Sequence, residues 1–140
     1  MSVAMIPSQA PQARRAGSRG EFKYACTIAM PKGEGERASG EILVNAHYDF
    51  VIRRIAWHFY QRDNIAPRVR VTWRDTRRNY VDRPALIEAL FGRAGEDYPM
   101  VAPITIERGS TLTFEAIALQ DNAVDIDIVL HGLELEPVSP

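Results

Sequence analysis

A chain of 140 residues with 46% hydrophobic, 25% charged and 9% aromatic side chains has the composition of one globular domain, long enough to bury a core without staples. Its single cysteine, Cys26, excludes an intrachain disulfide framework and a cysteine-based zinc site. Every apolar stretch is interrupted well before the ~18 residues of a membrane-spanning helix, and 17 Lys and Arg against 18 Asp and Glu predict no overall attraction to nucleic acid or an anionic membrane.

The charge is uneven. Residues 1–20 carry Arg14, Arg15 and Arg19 and no acid, whereas residues 21–140 hold 14 basic against 18 acidic side chains. Pro7 and Pro11 break any helix in the first segment, and Gly17, Gly20 and their polar neighbours offer little to bury. Residues 1–20 therefore read as an extended basic N-terminal arm and residues 21–140 as the folded domain. No continuous apolar run follows an early positive charge, so the arm does not read as a convincing secretory signal.

The domain reads as strands. Phe22, Tyr24, Cys26, Ile28 and Met30 alternate with Glu21, Lys23, Ala25, Thr27 and Ala29, the period of a half-buried strand. A polar, Gly-rich loop is predicted over 31–40, and Ile42 and Val44 open a second strand. Tyr48–Tyr60 is ambiguous: Tyr48, Val51, Ile52, Ile55 and Phe59 also fit a helical stripe. The alternation of Ile55, Trp57 and Phe59 and the β-branched and aromatic content favour strand. Val69, Val71 and Trp73 form another, leaving through a turn at Asp75–Asn79. One short helix is expected over Ala85–Phe91, capped by Asp82, with Pro84 in its first turn and Gly92 ending it. Pro99 and Pro103 flank an irregular crossing. Ile104 and Ile106 then lead through Arg108-Gly109-Ser110 to a strand placing Leu112, Phe114 and Ile117 on one side. Asp121-Asn122 turns the chain into a last strand with Val124, Ile126, Ile128 and Leu130 inward. Many short strands without repeated crossover helices predict an all-β antiparallel sandwich.

Chemistry-bearing patterns are few. His47, Asp49 and distant His131 match the bare pattern of a two-His-one-carboxylate iron site, but no Arg follows His131 to hold a co-substrate, and no His-x-His pair supports a cupin-like metal centre. No metal or cofactor is expected. Cys26 in an apolar row reads as an inert thiol. Asp125 and Asp127 read as a solvated strand face, and Glu34 and Glu36 make the glycine-rich loop unsuited to phosphate. The arginines say more: Arg68, Arg70, Arg74, Arg77 and Arg78 crowd one strand and its exit turn. They can pair across strands, meet an acidic patch on a partner, or, beside Trp73 and Tyr80, bind a single strand of nucleic acid. The acidic body argues against the last.

Pro103–Glu115 (PITIERGSTLTFE) followed by Val124–Leu135 (VDIDIVLHGLEL) resembles the closing strands of small jelly-roll proteins in tailed-phage virions, and Tyr48–Ile55 (YDFVIRRI), Val69–Asp75 (VRVTWRD) and Pro84–Gly92 (PALIEALFG) occur in the matching order. The resemblance implies a jelly-roll-like sandwich that is not an enzyme: a capsid decoration or cement protein on the virion surface, made in the host cytoplasm. It would be a dimer or trimer contacting the major capsid protein or another virion protein. The partner-facing residues expected on this reading are Arg14, Arg15 and Arg19 of the arm with Arg68, Arg70, Arg77 and Arg78 of the basic strand. The competing expectations are a neck or tail accessory protein, the metal enzyme above, and a carbohydrate- or small-ligand-binding sandwich that uses Trp57, Trp73 and Tyr80 as stacking platforms.

Overall fold

The computed structural model describes residues 18–60 and 67–136, which form eight strands and one helix. In chain order these are β1 (Ser18–Met30), β2 (Arg37–Leu43), β3 (Asp49–Tyr60), β4 (Val69–Arg74), β5 (Ala85–Leu86), α1 (Ile87–Phe91), β6 (Tyr98–Ile106), β7 (Thr111–Ala118) and β8 (Val124–Leu135). They pair antiparallel in two four-stranded sheets, ordered β1-β8-β3-β6 and β2-β7-β4-β5. Consecutive strands alternate between the sheets except β4 and β5, which pair with each other, and this is the double Greek-key order of a jelly roll. The expected all-β sandwich with one short helix is the fold of this chain.

Alternation along the strands supplies the core. On β8 the residues from Val124 to Leu130 at every second position are buried, and on β7 Leu112, Phe114, Ala116 and Ala118 face them. Burying each large apolar side chain contributes about 1.5–3 kcal/mol, so these two central strands anchor their sheets. The Trp57 indole is fully buried, and its Nε1–H donates to the Gly92 carbonyl at 2.8 Å, fastening β3 to the end of α1.

Several local expectations are corrected. β1 begins at Ser18, because Ser18 and Gly20 already pair with Leu135 and Glu134; three residues assigned to the arm belong to the sandwich. Residues 1–17, with Arg14 and Arg15, lie outside the described residues. The loop after β1 ends at Glu36, since Arg37–Gly40 pair with Phe114–Ile117. The helix is confined to Ile87–Phe91. Ala85 and Leu86 pair with β4 instead, so Asp82 does not cap the helix, whose N-cap is Leu86. Ile117 sits on the outer phase of β7, one register step from the buried Ala116 and Ala118.

Candidate functional site

Three departures from regular sheet geometry fall at one place on the outer face of the β1-β8-β3-β6 sheet. On β3 the ladder to β8 runs Ile52↔Gly132 and then Arg54↔His131, leaving Arg53 as an extra residue. A bulge of this kind re-aims side chains. Before it, Phe50 and Ile52 point inward; after it, Ile55 and Trp57 do, and Arg53 and Arg54 both face solvent. On β6 the pairing with β3 breaks at the same level: Ile104 opposes Ile52 and Pro99 opposes Arg54, so residues 100–103 arch away from the ladder. Proline lacks the N–H a ladder needs, which accounts for the arch between Pro99 and Pro103. The irregular crossing expected between these prolines is thus an interruption within one edge strand. The third departure is Gly132. An added Cβ there would lie 1.8 Å from the Val51 carbonyl oxygen, so the bulged strand passes where only glycine leaves room.

Together they shape a groove of about 400 Å³. Its cationic lining comes from Lys23, Arg53 and Arg54, with Glu21 the acidic member; Phe22, Met100, Pro103 and Leu133 supply apolar surface. Lys23, His131 and Arg54 stand in one row across β1, β8 and β3. Arg54 is tethered to Asp97 at 3.1 Å, and His131 Nε2 approaches the same carboxylate at 3.8 Å. Lys23 and Arg53 have no ion-pair partner among the described residues. Val101 is fully exposed on the arch, and Phe22 in the lining is 41% exposed.

A second depression, of about 530 Å³, lies at the basic turn after β4. Here Arg74 pairs with Glu115 at 3.3 Å and Arg77 with Glu107 at 2.9 Å, while the Arg78 guanidinium lies 4.8 Å over the Tyr80 ring. The turn's positive charge is balanced where it stands, by exposed pairs each worth at most about 1 kcal/mol. Arg68 and Arg70 are exposed on and beside β4, without ion pairs among the described residues. Arg19 lies in β1, at the register slip between Ser18 and Gly20.

Asp75 holds this turn together. Its carboxylate accepts the backbone N–H groups of Arg77 and Arg78 at 2.7 and 2.8 Å and the Tyr80 hydroxyl. Burial alone would raise its pKa, but these three hydrogen bonds and the Arg78 charge outweigh burial and hold it below the usual carboxylate value. The same contact, added to burial, pushes the Tyr80 phenol up to about 12. Because the depressed pKa belongs to the folded state, the Asp75 contribution is fully present above the unfolded carboxylate pKa and fades as pH falls through the folded one. Asp75→Asn should therefore lower Tm near neutral pH, and the gap from the parent should narrow as the pH falls below the ordinary carboxylate range, as a thermal-melt series will show.

The other sequence candidates separate. Asp49 pairs with Leu135 and accepts the Arg108 N–H at 2.9 Å, whereas His131 lies four rungs away along β8, roughly 13 Å. The His47 N–H donates to Asn45 Oδ1 at 2.7 Å. The three are not brought together, and among the described residues no three His, Cys, Asp or Glu side chains gather as a metal set. Trp57 and Trp73 are buried, so the stacking platform expected of them is absent: their rings build the core. Burial, and then the nearby Asp127 charge, pushes the Cys26 thiol up to about 11, which leaves little thiolate at neutral pH. Asp127 itself accepts the Thr27 hydroxyl at 2.6 Å. Lys23, Arg53, Arg54 and Met100 were not among the sequence candidates. Two signals mark all but Lys23: an Arg-Arg pair where the apolar phase of β3 changes, and an apolar YPMVAP run at a sheet edge.

Fold and site together define a jelly roll carrying a shaped, cationic and apolar groove on one outer sheet face. Comparison with family models, with curated proteins and with solved structures returns no match to this chain.

Proposed function

We propose that this chain is a non-enzymatic structural protein of a virion, a decoration or cement subunit that attaches to neighbouring capsid subunits through its sandwich and its N-terminal segment and works as a dimer or trimer. The observation that carries the reading is the β6 edge. Residues 98–103 (YPMVAP) are apolar and largely exposed, and Val101 is wholly so. An open apolar edge invites pairing unless a partner covers it. The jelly-roll order and the concentration of Arg14, Arg15 and Arg19 before a net acidic domain support the same reading, since a basic segment adds contacts to an acidic neighbour and lattice symmetry multiplies weak ones.

The test compares the full chain with residues 18–140, a boundary that spares the first rungs of β1. Light scattering should give the full chain a mass two or three times 15.7 kDa. Both proteins should give the same circular dichroism spectrum, and only the full chain should co-sediment with capsids of the encoding virus, less strongly as salt is raised. A monomer at every concentration, or undiminished sedimentation of residues 18–140, would reject the reading.

A further inference from the structure

From the groove on the β1-β8-β3-β6 face we infer a docking site for an extended, acidic peptide segment with interspersed apolar side chains, contributed by a different protein. This deepens the reading above by naming the chemistry of one partner surface.

The site is built. A bulge, a glycine without room for a side chain and a proline-flanked arch depart from sheet geometry on three neighbouring strands, β3, β8 and β6, at one level, and residues of all three line the same depression. The bulge alone turns Arg53 to the face that Arg54 already occupies. Its lining holds three cations against the single acid Glu21, on a domain whose residues 21–140 are net acidic. Arg54 is already held by Asp97, which leaves Lys23 and Arg53 to take carboxylates. The apolar half, from Phe22 and Leu133 to Met100 and Pro103, asks for side chains that a bare anion lacks.

Charge selects the occupant. The chain's own basic N-terminal residues carry Arg14, Arg15 and Arg19 and would be repelled. A long polyanion such as single-stranded nucleic acid would have to run on over the acidic remainder of the domain. A short peptide does not. Four strands spaced about 4.8 Å apart give a crossing of roughly 14 Å, the length of about four extended residues. That is enough for two carboxylates and two apolar side chains on opposite phases.

The probe is a blocked hexapeptide of alternating Glu and Leu, titrated into the full chain and followed by backbone amide NMR at fixed pH. Shifts should saturate and centre on Lys23, Arg53, Met100 and His131. Arg53→Gln and Lys23→Gln, two exposed sites on different strands, should each weaken binding about tenfold while leaving the remaining spectrum in place, and the alternating Lys-Leu peptide should not bind. Binding by both variants as tight as that of the parent chain, or shifts centred elsewhere, would overturn the inference. So would tighter binding of hexathymidylate at the groove, which would make it a nucleic-acid site. Groove shifts that grow with protein concentration and no peptide would assign it to a second copy. A monomer in light scattering that still takes the peptide rejects the self-assembly reading and keeps the groove; an oligomer that ignores the peptide does the reverse.

Discussion

Gly132→Ala should be the most damaging single-methyl change in this protein. An ideal Cβ at this position falls 1.8 Å from the Val51 oxygen, 2.8 Å from its carbonyl carbon and 2.9 Å from Phe50 Cζ. The backbone of Gly132 is not in the left-handed region, so space rather than conformation demands glycine. The obstacle is main chain of the neighbouring strand, held by the β3–β8 ladder on both sides of the bulge, and it cannot swing aside as a side-chain tip can. The expected cost is about 3 kcal/mol or more, at or beyond the upper end for overpacking, which for a domain of this size lowers Tm by roughly 10 °C. Gly40→Ala is the control. Its Cβ would meet the Thr27 oxygen at 3.0 Å and the Cys26 Sγ at 3.1 Å, where neighbours can yield by a few tenths of an ångström, and about 1 kcal/mol is expected. Differential scanning calorimetry of the two variants decides the matter. An unchanged Tm in Gly132→Ala would mean that the bulge, and with it the groove, is not formed as described.

The same bulge explains what could and could not be read from the sequence. Where strands are regular, period-2 patterning carried the fold: β1 beyond its slip at Gly20, β4, and β8 from Val124 to Leu130 alternate in the expected phase. Tyr48–Tyr60 looked half helical because the inward phase passes from Phe50 and Ile52 to Ile55 and Trp57 across Arg53, and a step of three within a run of twos mimics the spacing of a helix turn. The helix start was misplaced because Asp82 and Pro84 form a good local cap signal, yet β4 offers Ala85 and Leu86 ladder partners, and tertiary pairing overrides a weak preference. The groove was not legible at all. Its cations come from β1 and β3, its apolar surface from β1, β6 and β8, and Gly132 of β8 is part of its lining; only the topology brings those four strands together. Conversely, the arginines that the sequence displays most densely, at 74–78, include two that the fold neutralises with Glu115 and Glu107.

Trp73→Ala should cost about 3–5 kcal/mol, the range for emptying a buried aromatic site. The indole is 5% exposed and lies between two other rings: Phe114, its register partner on β7, is stacked nearly parallel to it at 5.5 Å, and Tyr80 stacks on it at 4.3 Å after the turn. Phe91 of α1 meets it edge-on at 5.9 Å. One side chain thus joins β4, β7, the helix and the basic turn, and its removal leaves a cavity that no one of them can fill alone. Urea unfolding should show the midpoint falling with little change in slope, and Trp73→Phe should recover much of the loss, because a ring still fills the slot. A tryptophan that served as a solvent-facing platform for a sugar would behave oppositely, with Ala leaving stability nearly untouched. The variant also separates packing from turn chemistry. Tyr80 is held by the Trp73 ring on its face and by the Asp75 carboxylate at its hydroxyl. Losing the ring should therefore speed hydrogen exchange at the Arg77 and Arg78 amides that Asp75 fixes, together with exchange in β4. Asp75→Asn should speed the two turn amides far more than those of β4, because the aromatic stack beneath them stays intact.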